Sequence, residues 1–135
     1  MKSPFKPHGS YQARIKGRIL VAHSQGTWNL EMYHESARIA WPLIKELNLS
    51  GPWAYMVVVE ETVLYHREVL EKSGEWVRTK YANQLVAAAW VMAPDLEGLL
   101  LLKPAYAKAY KGHIPCEVFE TAQEAKDWLL PQIRT

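Results

Sequence analysis

Cysteine is nearly missing from this chain. Cys116 is the single one in 135 residues, so no internal disulfide can form and no zinc-ligand spacing includes it. Long apolar runs are missing too. The longest, Leu85 to Pro94, is about half of what a membrane-crossing helix needs. The first residues, Met1-Lys2-Ser3-Pro4-Phe5-Lys6-Pro7, hold no apolar h-region, so no signal peptide is expected. There is no Walker loop, no dinucleotide fingerprint, no internal repeat and no low-complexity tract. These absences point to a soluble protein of a reducing compartment, expected in the cytoplasm.

What is present fits one domain. With 49% hydrophobic and 22% charged residues, the length suits a single globular unit with a sizeable core. We place a loose arm over residues 1–10, where Pro4, Pro7, Gly9 and Ser10 cluster, and one domain over 11–131. Six tryptophans stand out: Trp28, Trp41, Trp53, Trp76, Trp90 and Trp128. Charge is uneven as well. Lys2, Lys6, Arg14, Lys16 and Arg18 fall in residues 1–30 with no acid among them. Such a basic segment can meet an anionic membrane surface. It also suits an edge strand that must avoid pairing. No aromatic is interleaved with these charges to stack on bases, which argues against nucleic acid.

The pattern alternates strands and helices. Tyr11 to Ile15 alternates apolar and polar, Lys16-Gly17 turns, and Arg18 to His23 forms the second strand of a hairpin. That strand is expected to end at Ser24-Gln25-Gly26-Thr27. A helix follows, with its stripe on Leu30, Tyr33, Ala37, Ala40 or Trp41, Ile44 and Leu47, kinked or restarted at Pro42. Trp53 to Val59 is a buried, parallel strand. Thr62 to Lys72 reads as a weaker helix, Gln84 to Ala93 as a strand, and Leu96 to Lys111 as an interrupted helix. Ile114 to Phe119 is a short strand. Thr121-Ala122-Gln123-Glu124 is a capping box that opens a last helix, which buries Ala125, Trp128 and Leu129 and ends at Pro131. The order β-β-α-β-α-β-α-β-α predicts an α/β domain with a mixed, mostly parallel sheet of about five strands.

Three stretches resemble the STAS-like domains, the fold of bacterial anti-sigma-factor antagonists, and above all their short stand-alone bacterial members. They are the strand–Gly26-Thr27-Trp28-Asn29–helix junction, the apolar strand Trp53 to Val59 with the helix expected after it, and Val118-Phe119-Glu120-Thr121 with Glu124-Ala125 and Trp128-Leu129. The resemblance covers roughly residues 11–130. In regulatory members a kinase partner phosphorylates a serine in an Asp-Ser-Ser-Gly-type loop at the start of the second helix. The matching segment here is Glu60-Glu61-Thr62-Val63-Leu64-Tyr65-His66. Thr62 is its only hydroxyl near the helix start, which makes it the candidate phosphorylation site, or simply a helix N-cap. Phosphate there gains from a helix N-terminus but is repelled by Glu60 and Glu61.

Catalytic constellations are thin. Ala22-His23-Ser24-Gln25-Gly26 resembles a nucleophile elbow, with Asp95 and His113 following in the usual order. However, only a hairpin precedes it, and His113 lies before its strand, at the opposite sheet edge. His34-Glu35 lacks a second histidine, since position 38 is Arg38, so no metal site is expected and no cofactor is implied. Trp53, Trp90 and Trp128 read as core, and Trp41 as part of the buried stripe. Trp28, above a strand end where open α/β sheets bind ligands, is a candidate ligand residue together with Thr62, His66 and Trp76.

The expected function is therefore a non-catalytic binding or regulatory module, acting on a protein partner or a small apolar ligand. The alternatives are hydrolysis through Ser24 and binding to a lipid or membrane surface.

Overall fold

The computed structural model describes residues 9–28, 30–65, 84–92 and 114–134. Within them the chain forms strands β1 (Gly9–Lys16) and β2 (Ile19–Trp28), helix α1 (Leu30–Ser50), strands β3 (Trp53–Tyr65), β4 (Leu85–Val91) and β5 (Cys116–Phe119), and helix α2 (Ala122–Arg134). The five strands make one sheet in the order β1-β2-β3-β4-β5. β1 is antiparallel to β2, and every later pairing is parallel. The mixed, mostly parallel α/β sheet read from the sequence is thus present. The helix expected over Leu96 to Lys111 lies outside the described residues.

The hairpin closes through a two-residue turn, because Lys16 pairs with Ile19. Gly17 sits there at φ 63°, a left-handed conformation that costs other residues about 1–2 kcal/mol. Arg18 then clamps the far end of α1. Its Nε donates to the Pro52 carbonyl at 2.7 Å and an Nη to the Leu47 carbonyl at 3.3 Å. A cation at a helix C-terminus meets the negative end of the dipole, and the Leu47 carbonyl that it reaches also accepts from the Gly51 amide at 3.1 Å. Beside it, Asn48 Oδ1 accepts from the indole N–H of buried Trp53 at 2.7 Å and from the Gln84 amide at 3.3 Å. One asparagine therefore ties α1 to β3 and to the start of β4.

Strand alternation splits the core in two. Leu20, Ala22, Val57, Val59, Ala88 and Trp90 face one side and meet Ala40, Ile44 and Leu47 of α1. Ile19, Val21, Ala54, Met56, Ala87, Ala89 and Val91 face the other side and meet Ala125 and Leu129 of α2. Trp53 is fully buried, and emptying its site to Ala would cost about 3–5 kcal/mol. Trp128 is half-buried and packs its ring 5.6 Å from that of Phe119.

Several local expectations are corrected. β2 does not end at Ser24 but runs to Trp28, because β3 runs on beside it. The helix expected from Thr62 does not start there, since residues 62–65 belong to β3. β-branched and aromatic side chains favour the strand, and the tail of β2 supplies backbone partners as far as Trp28–Tyr65. The remainder of that expected helix lies outside the described residues. In α1 the buried stripe passes through Ser36 and Ala40, leaving Ala37 and Trp41 exposed. Trp41 packs instead under the Lys45 ammonium, 5.8 Å from the ring centroid, a cation–π contact. Pro42 and Pro131 both lie inside helices. Each is exposed, so the carbonyl four residues back that loses its amide partner can turn to water.

Candidate binding face

The two helices cover the sheet unequally. α1 lies over β1 and β2 on one face, whereas α2 lies over β3, β4 and β5 on the other. Among the described residues, no helix covers the second face of the hairpin. Its side chains are set by alternation and by the register Ser10–Gln25, Gln12–His23 and Arg14–Val21. Directly opposed residues on one face lie close enough to act together. Here they are three adjacent pairs built almost wholly from polar groups.

Ser10, Gln12, Arg14, Val21, His23 and Gln25 line an open depression of about 360 Å³. Ser10 and Gln25 are joined by a long hydroxyl-to-carboxamide hydrogen bond of 3.4 Å. Ser10, Gln12 and Arg14 are exposed, and His23 and Gln25 are half-buried. Lys16 continues the same face beyond Arg14 and is exposed too. Neither Arg14 nor Lys16 has an ion-pair partner among the described residues. The depression therefore offers a guanidinium, two carboxamides, an imidazole and a hydroxyl, a set rich in donors. It suits a ligand rich in acceptors and charged negatively.

The sequence-nominated residues are placed elsewhere. Trp28 closes β2, its backbone paired with Tyr65. Thr62 lies in an irregularity of β3. The ladder runs to Gln25–Glu60 and resumes at Gly26–Val63, which leaves Glu61 and Thr62 out of the pairing. Trp28 and Thr62 thus share the carboxyl end of the β2–β3 ribbon. Thr62 is therefore placed in a strand and not at a helix start. His66 and Trp76 lie outside the described residues, as do Asp95 and His113.

Ser24 does not sit on an exposed elbow. It lies within β2, between Tyr11 and Val59 on the neighbouring strands, with only 1% of its surface exposed. Among the described residues its hydroxyl has no hydrogen-bond partner. An acyl-transfer nucleophile needs both substrate access and a base within hydrogen-bond reach, and among the described residues Ser24 has neither. The nearby Tyr11 and Tyr55 hydroxyls are bonded to each other at 2.7 Å.

Burial, and then the Glu117 carboxylate, raise the Cys116 thiol above its ordinary value, which keeps it protonated at neutral pH. On α1, a hydrogen bond from Arg38 lowers the Glu35 carboxyl. Among the described residues, no group of three or more His, Cys, Asp or Glu side chains could hold a metal ion. None of the described helices is long and apolar enough to cross a membrane.

The sequence pattern places Arg14 in a basic segment and His23 and Gln25 in an elbow-like motif, but it does not nominate them, or Gln12, as ligand residues. The signal was present, since the alternation that begins at Tyr11 returns in Ile19, Val21, His23 and Gln25. Ending the second strand at Ser24 hid it. No protein-family model matches the chain, and no curated protein matches it.

Proposed function

We propose that this chain is a non-catalytic, STAS-like binding module that works through the polar face of its N-terminal hairpin. The observation that carries the reading is the unequal covering of the sheet. One hairpin face is packed under α1, and the other presents Gln12, Arg14, His23 and Gln25 around an open depression. Side chains of that kind contribute little to a core and, among the described residues, no helix covers them, which is the arrangement of a recognition surface. Support for the STAS-like part comes from the antiparallel first strand, the sequential strand order and the helices on both faces. A cytoplasmic setting accords with the single cysteine.

A thermal-shift screen with anionic small molecules and acidic peptides tests the reading, run on the wild type and on a Gln12→Ala/His23→Ala variant. Both positions tolerate the change structurally, because Gln12 is exposed and His23 half-buried. A ligand that stabilises the wild type and not the variant supports the reading. Ligands that shift both proteins equally, or no shift in either, would overturn it.

One observation favours a second reading, docking on an anionic membrane surface. Trp41, Lys45 and Leu49 follow one another at four-residue spacing on α1, and Leu49 is 89% exposed. Such an apolar and cationic stripe suits the lipid interface. Flotation with phosphatidylserine vesicles at low and high salt should show binding that Trp41→Ala/Leu49→Ala abolishes. Absence of binding under both conditions refutes it.

A further inference from the structure

We infer that the outer edge of β1 accepts an extended acidic peptide as a sixth strand, with carboxylates over Arg14 and Lys16. The inference rests on the binding-module reading and names its partner class. β1 ends the sheet, and among the described residues nothing pairs with its outer side. It is eight residues long, enough to pair with a full strand of ordinary length. A free edge presents a row of backbone N–H and C=O groups, which is the template used in strand addition.

Charge complementarity selects the occupant. On the open face β1 shows Ser10, Gln12, Arg14 and Lys16, all exposed, with both cations lacking an ion pair among the described residues. On the opposite face it shows Tyr11, Ala13 and Ile15, of which Ala13 and Ile15 are half-buried against the α1 side of the core. An added strand places alternate side chains over these two faces. Its sequence should therefore alternate acidic and apolar residues. Acids would answer Arg14 and Lys16, and apolar residues would extend the cluster at Ala13 and Ile15. A single-stranded nucleic acid would use the same cations but needs stacking platforms, and on this face His23 supplies the only ring among the lining residues. Edge lysines and arginines also discourage edge-to-edge pairing with like-charged strands. That role against a second copy is compatible with admitting an acidic partner.

The probe is acetyl-(Val-Glu)4-amide carrying a fluorophore, titrated with the full chain and followed by anisotropy. Saturable binding is expected, weakened about tenfold or more by Arg14→Glu/Lys16→Glu and weakened by added salt. A probe N-methylated at alternate backbone positions should lose affinity as well, because the ladder bonds are removed. Arg14→Gln/Lys16→Gln, which keeps polar side chains at two exposed positions, should fall between the wild type and the reversal. Four outcomes overturn the inference: no saturable binding; equal binding of a (Val-Lys)4 probe; affinity indifferent to both variants and to N-methylation; or oligothymidylate binding as tightly with the same residue dependence. Concentration-dependent dimerisation that Arg14→Glu/Lys16→Glu alters, without peptide binding, would assign the edge to a second copy and refute the peptide. If the peptide fails while a ligand dependent on Gln12 and His23 is found, the strand-addition inference falls and the binding-module reading stands. If both fail, both are wrong.

Discussion

Replacing Ser24 with alanine should stabilise the protein. The residue is 1% exposed, and among the described residues its hydroxyl makes no hydrogen bond. Taking a hydroxyl out of water without a partner costs about 1–3 kcal/mol in proteins, and Ser24→Ala removes that cost. The change also leaves a void the size of one oxygen atom, of order 10 Å³. At about 24 cal/mol per Å³ of cavity, the void returns a few tenths of a kcal/mol. The net expectation is a gain of about 1 kcal/mol. For a chain of this length, that corresponds to a rise of about 3–4 °C in Tm. Urea denaturation followed by tryptophan fluorescence, with calorimetry beside it, reads both quantities. Ser24→Val serves as the opposite control, because extra methyl groups between Tyr11 and Val59 overfill the site and should destabilise by about 1–3 kcal/mol. A loss of 1 kcal/mol or more in Ser24→Ala would refute the reasoning, since it would mean that the hydroxyl has a partner. The same chemistry predicts that a fluorophosphonate probe leaves Ser24 unlabelled in the folded protein. Labelling there would restore the hydrolase.

Three further outcomes follow from the packing. Asn48→Ala strips the buried Trp53 indole N–H and the Gln84 amide of one acceptor and should cost about 2–3 kcal/mol in urea unfolding; a change under 0.5 kcal/mol, within the roughly half-kcal/mol range of ordinary surface substitutions, would deny the network its role. Arg18→Ala removes the clamp on Leu47 and Pro52 and should cost about 1–2 kcal/mol, with Arg18→Lys in between because it keeps the charge and loses the fork; equal stability of all three proteins would refute it. Cys116 should react with a disulfide reagent more slowly at neutral pH than free cysteine and speed up above the usual cysteine range, with Glu117→Gln faster. Because the folded-state value is raised, this thiol favours the folded state below the unfolded value, and the contribution is lost as pH rises through the folded one. A neutral-pH rate matching free cysteine would contradict this.

The hairpin, the long helix, the buried strand at Trp53 and the capped last helix were legible because each carries a local signal. Thr121 illustrates this. Its hydroxyl accepts from the Glu124 amide at 3.2 Å, the cap that the Thr-x-x-Glu spacing implied, and the same hydroxyl donates to the Glu124 carboxylate at 2.9 Å. The run Leu85 to Val91 was legible for another reason. A strand buried on both faces must be apolar throughout, and all its residues but Val86 are buried.

What was not legible depended on neighbours. Residues 62–65 carry the β-branched and aromatic side chains that strands favour, but the backbone partners that hold them in the sheet come from residues 26–28, far away in the sequence. Trp41 and Ala40 compete for one stripe position, and it is Ala40 that is buried while Trp41 is exposed. The candidate face shows the same limit. His23, Ser24 and Gln25 are three adjacent polar residues in the sequence. Strand geometry sends the first and third to an open depression and the second into the core beneath α1.

The sequence by itself determined the single cysteine, the alternation of strands with helices, and the concentration of cations without acids in the first 30 residues. These follow from composition and from periods of two and 3.6 residues, which are properties of one segment at a time. Tertiary structure alone decided which face of each strand is covered. That depends on where α1 and α2 come to rest, α1 over the hairpin and α2 over the strands beyond it. It therefore decided that Arg14 and Lys16 lie at the edge of the described sheet beside Gln12 and His23, and that Ser24, one residue further along, is sealed from water.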